Sequence, residues 1–139
     1  MLLVNISEEY ISIINEFLFE KVNPYLIYIF GSSVKGIFRE DSDIDIAVLS
    51  DEDISDYDLF MIAQELADVL KREVDLINLK NSSTVFKAQV VGNGQAIYCT
   101  DDTRRMYFEM YAFKDYAFLN EERAIILENI KKRGSVYGK

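Results

Sequence analysis

The sequence predicts an α/β domain: a small mixed sheet flanked by helices, with one long helix at its C-terminal end. Three observations predict it. Short runs of β-branched and aromatic residues alternate with longer stretches of helical periodicity. Pro24 is the only proline, and Gly31, Gly36, Gly92 and Gly94 mark tight spots. Half of the 139 residues are hydrophobic and 28% are charged, the composition of a globular chain with a real core. The length suits a single domain over residues 1–139, with a core over about 1–100 and the long helix over about 102–133.

Each element follows from its local pattern. The first helix starts after Ser7, a fair N-cap, and runs to about residue 21, with Tyr10, Ile13, Ile14, Phe17 and Leu18 on its apolar face. Asn23-Pro24 stops it, and residues 25–30 form a buried strand. A short helical turn is expected near residues 33–38, and a second strand over 43–49. The next helix spans about 55–71, turning Leu59, Ile62, Ala63, Leu66 and Leu70 inward. A third strand covers 73–79 and a short helix 82–91, closed by Gly92-Asn93-Gly94. The fourth strand is 95–99, and the long helix runs from about 102 to 132, ended by Gly134. Asp51, Glu52 and Asp53 read as a solvated turn.

Composition excludes several chemistries. With no histidine and one cysteine, Cys99, the chain cannot build a Ser-His-Asp or Cys-His site, a histidine-bearing zinc site or an internal disulfide. A net charge of −9 makes it a poor non-specific binder of nucleic acid, because neutralising phosphates needs an excess of Lys and Arg. The N-terminus lacks the basic segment of a signal peptide, and residues 25–30 are too few to span a bilayer. A cytoplasmic protein is the expectation.

The informative stretch is Phe30-Gly31-Ser32, then Gly36, then Ser42-Asp43-Ile44-Asp45. A strand running into Gly31-Ser32 and a helical turn lets the backbone approach an anion, with N–H groups and the Ser32 hydroxyl on phosphate oxygens. Lys35 and Arg39 lie near enough to add positive charge, although taken alone each reads as a surface residue. Gly31 and Gly36 have the spacing of the first part of a P-loop, but Ile37 and Phe38 stand where its Lys and Ser/Thr must be. Asp43 and Asp45, two apart on a strand, point to the same face, where they repel unless a divalent cation lies between them. Mg2+ prefers such hard oxygen ligands. Asp75 interrupts another apolar strand, Val74-Asp75-Leu76-Ile77; if the two strands are neighbours, it completes a triad for in-line displacement at phosphorus.

This pattern resembles the polymerase-β-like nucleotidyltransferase superfamily: Gly-Ser, a spacer, Asp-x-Asp, and a third acid on a later strand. With Ser32 and Asp43 separated by residues 33–42, the chain looks like the minimal nucleotidyltransferase (MNT) group, in particular the antitoxin half of HEPN–MNT toxin–antitoxin pairs. The stretch 116–130, with Glu121-Glu122-Arg123-Ala124-Ile125-Ile126, also resembles that family. The resemblance implies a protein adenylyltransferase that uses ATP and two Mg2+ ions to attach AMP to a tyrosine of a cognate HEPN ribonuclease toxin. By matching positions, Gly31, Ser32 and, more weakly, Lys35 would bind the nucleotide. Asp43, Asp45 and Asp75 would be the catalytic, metal-holding acids.

The long helix fits a protein partner. Between Met106 and Leu119 its only charged residues are Glu109, Lys114 and Asp115, so it is apolar nearly all round. One side can pack on the sheet while the other awaits a partner, giving a hetero-oligomer. Two other function classes compete: a small-molecule nucleotidyltransferase of the antibiotic-modifying type, and a non-enzymatic subunit that neutralises a toxin by covering it.

Overall fold

The computed structural model describes residues 7–31 and 43–137, with side chains as far as 133. Helix α1 (Glu8–Val22) starts where Ser7 Oγ accepts the Tyr10 N–H and ends at Asn23, whose φ of 46° is left-handed. Strand β1 (Pro24–Phe30) follows directly. Strand β2 (Ile44–Ser50) leads to helix α2 (Asp56–Leu70), N-capped by the Ser55 hydroxyl. Strand β3 (Val74–Asn78) leads through a 3-10 turn (Leu79–Asn81) to helix α3 (Thr84–Asn93). Strand β4 (Gln95–Cys99) and helix α4 (Asp102–Tyr137) complete the chain. The helical turn expected near 33–38 lies outside the described residues.

The four strands form one mixed sheet in the order β3-β2-β1-β4. Strand β1 is antiparallel to both β2 and β4, while β2 and β3 are parallel. The α2 crossover makes that parallel pair possible, since a tight hairpin cannot. Alternation then sorts side chains into two cores. On one face Ile27, Ile29, Ile44, Ile46 and Val48 pack against Ile14 and Leu18 of α1 and Leu59, Ala63 and Leu66 of α2. On the other, Leu26, Tyr28, Ala47 and Leu49 meet Leu79 of the 3-10 turn and Val90 of α3. The Ser50 hydroxyl, buried at the end of β2, donates to the Val22 carbonyl at 2.7 Å and accepts from the Glu52 N–H at 3.0 Å.

Two details differ from the sequence reading. Helix α4 does not stop at Gly134 but continues to Tyr137; one glycine costs a helix only about 1 kcal/mol relative to alanine. It also leans on α3 more than on the sheet. It reaches β1 mainly through Phe108 and through Glu109, which accepts the Tyr28 hydroxyl at 2.5 Å and the Arg105 Nε–H at 3.0 Å. Asp51 lies in an exposed turn, as expected, and pairs there with Arg104 at 2.5 and 3.0 Å; that guanidinium lies 3.5 Å from the Tyr25 ring centre. Among the described residues, no helix is long and apolar enough to cross a membrane.

Candidate active site

The register of the sheet assembles the acids. Asp45 on β2 stands directly beside Asp75 on β3, and on its other side faces Phe30, the last residue of β1. Neighbours in register share a face, so both carboxylates lie on the side of the sheet covered by α3. Asp43 lies one residue before β2 and is exposed. The next residue is tied down by its backbone, the Ile44 N–H donating to the Glu73 carbonyl at 2.9 Å.

Gly31 ends β1 with φ at +69°, a left-handed conformation that side chains disfavour. A Cβ there would run into Asp45 Oδ2, so glycine serves twice: it permits the turn and leaves room for the carboxylate. Ser32 and Lys35, expected on the nucleotide, lie outside the described residues, as do Gly36, Arg39 and Ser42.

The electrostatics reflect this crowding. The Asp45 carboxyl is raised to about 6, first by burial, then by the negative charge of Asp75, a hydrogen bond with Asp75 and the charge of Asp43. Asp45 therefore feels both other acids. Among the described residues, no three Asp, Glu, His or Cys side chains converge tightly enough to form a metal cage by themselves. The donor set still fits magnesium: hard carboxylate oxygens on adjacent backbone segments, and a repulsion that a divalent cation relieves.

Two hollows border the acids. A small one, about 200 Å³, is lined by Phe30, Gly31 and Asp45 on one side and by Phe86, Gln89 and Asn93 of α3 on the other. Phe30 and Phe86 meet edge to face with ring centres 5.4 Å apart. The α3 residues escaped the sequence reading because only the fold brings that helix over the end of β1; no local motif marks them. A larger cleft, about 580 Å³, follows β3 and includes Asp75 in its wall.

The chain matches the polymerase beta nucleotidyltransferase family over residues 12–103, which include all three acids and the Gly31 turn. It belongs to that family. This nucleotidyltransferase is 36% identical over 105 residues to the protein adenylyltransferase MntA of Shewanella oneidensis strain MR-1, covering 76% of this chain and 75% of that one. Its fold matches a crystal structure of a toxin–antitoxin with AMP-PNP at a TM-score of 0.77 and 33% identity, over 87% of this chain and 98% of that chain. It also matches a structure of the tri-AMPylated Shewanella oneidensis HEPN toxin in complex with MNT antitoxin, at a TM-score of 0.75 and 31% identity, over 89% and 98% of the two chains. The polymerase-β-like core expected from the sequence is therefore the family's own.

Proposed function

We propose that this nucleotidyltransferase is the antitoxin of a HEPN–MNT pair, transferring AMP from ATP to a tyrosine of its cognate HEPN toxin. The observation that carries the reading is a likeness extending along most of the chain to an adenylyltransferase antitoxin, together with the pairing of Asp45 and Asp75 beside Gly31. We take residues 1–139 as one minimal domain acting in the cytoplasm.

In this reading Gly31 and Ser32 hold the triphosphate, Lys35 adding charge, and the hollow beneath Phe86 receives part of the nucleotide. Asp43, Asp45 and Asp75 would hold Mg2+, which supplies charge neutralisation between carboxylates and phosphates. The tyrosine oxygen attacks the α-phosphorus in line, the bond to the β-phosphate oxygen breaks, and pyrophosphate leaves. Asp75 takes the hydroxyl proton. The geometry favours this assignment, because Asp75 is the exposed member of the pair while Asp45 is half-buried against Gly31. Helix α4 offers the partner surface: Met106, Tyr107, Met110, Tyr111 and Phe118 all project from it exposed.

The test is to incubate the purified antitoxin–toxin pair with ATP and Mg2+ and weigh the toxin. Wild type should add one or more AMP units, and Asp43→Asn or Asp45→Asn should add none. A toxin that stays silent without gaining mass would make covering, not catalysis, the mechanism.

A further inference from the structure

The large cleft lies against the outer edge of the sheet, and its composition says which substrate it takes. Among the described residues, three with carboxylates line it, Asp56, Glu73 and Asp75, and no Lys or Arg does. These three carboxylates disfavour a triphosphate there and suit a neutral or cationic group. The remaining wall combines the apolar Leu59 and Ala63 with Phe60, whose side chain is 59% exposed, and with the amide of Gln64 one helical turn further on.

Strand β3 ends the sheet, and among the described residues no strand pairs with its outer side. Because the Glu73 carbonyl bonds to β2, alternation turns the backbone groups of residues 73, 75 and 77 toward β2 and leaves those of Val74 and Leu76 facing outward. The Asn78 carbonyl, also outward, is taken by the Ser82 hydroxyl at 3.2 Å, which closes the far end. What remains is a short open edge, of the kind that binds an extended segment by strand addition.

We propose that this edge cleft is the acceptor-binding site, and that it takes an extended, tyrosine-bearing segment of the partner protein as an added strand beside β3. The proposal rests on the adenylyl-transfer reading above and deepens it. A tyrosine in register with Asp75 carries its side chain on the face where Asp75 and Asp45 lie, with cross-strand neighbours about 5 Å apart. The residues before and after it turn to the opposite face, toward Phe60 and Gln64 of α2. The alternation that aims the hydroxyl at the acids therefore places its flanks against α2. Phe60 is a positioning residue, with no contact to the reacting atoms.

Steady-state transfer to the toxin tests this, with toxin and ATP varied separately. Phe60→Ala should raise KM for the toxin about tenfold, the loss of one aromatic anchor, while KM for ATP and kcat stay within about twofold. Phe60→Leu should recover most of the difference. Because Phe60 projects outward, both variants should melt like wild type. A photo-crosslinking amino acid in place of Gln64 should capture a toxin peptide that contains or adjoins the AMP-bearing tyrosine. Wild-type kinetics in Phe60→Ala, or a crosslink mapping far from that tyrosine, would overturn the edge cleft and leave adenylyl transfer standing. Failure of wild type to transfer AMP would overturn both.

Discussion

Asp45→Asn should stabilise the metal-free protein while it removes activity. In the folded chain Asp45 titrates near 6, against 3.8 when unperturbed. The sign follows from linkage: a raised carboxyl binds its proton more tightly in the folded state, so the associated stability is present below 3.8 and is lost as pH rises through about 6. At face value the shift corresponds to about 3 kcal/mol. Asp45 is only half-buried, so solvent screening reduces this to about 1 kcal/mol. An asparagine carries no charge and can donate its amide to Asp75, so the variant should escape the penalty. For a domain of this size the gain is about 3–5 °C in Tm. Thermal melts in excess chelator at pH 8 should show it, and melts at pH 3.5 should show the two proteins within about 1 °C. Adding Mg2+ at pH 8 should raise the wild-type Tm and move the variant less, since the cation relieves a repulsion the variant lacks. An Asp45→Asn protein that melts at or below wild type at pH 8, or one whose advantage persists undiminished at pH 3.5, would refute the argument that Asp43, Asp45 and Asp75 crowd one another.

Three further outcomes follow from the same geometry. Gly31→Ala places a methyl group on Asp45 Oδ2 in a left-handed backbone; transfer should fall by about a hundredfold, a displacement of reacting groups by about 1 Å, as read by kcat in the intact-mass assay. Excess chelator should abolish AMP transfer by wild type, and Asp75→Asn should lower kcat far more than it weakens ATP binding, as measured by steady-state kinetics beside calorimetric titration with a non-hydrolysable ATP analogue.

The local signals in the chain translated directly into structure where short-range chemistry decides. Ser7 and Ser55 cap helices because a hydroxyl satisfies an N–H three residues on, and Asn23 ends α1 because it tolerates the left-handed turn. The Asp-x-Asp spacing keeps two carboxylates close for a similar local reason: Asp43 lies one residue before β2, and its charge reaches Asp45. Other features depended on distant partners. Helix α3 came to lie over Gly31, and Phe86 to face Phe30, through the path of the chain after β3. Helix α4 found α3 more than the sheet, because α3 already covers that face and leaves α4 to reach β1 through residues near its start, Arg104, Phe108 and Glu109.

The sequence alone determined the chemistry available to this protein: no histidine, an Asp-x-Asp pair, a further aspartate inside an apolar run, and a glycine at the end of another apolar run. It could not determine that Asp75 stands beside Asp45, because a parallel pairing between separated strands is a choice of register and a one-residue slip would have put the two acids on opposite faces. Tertiary structure made that choice. The apolar Val74 and Leu76 must join the core beneath α2, so the residue between them is turned to the other side, next to Asp45.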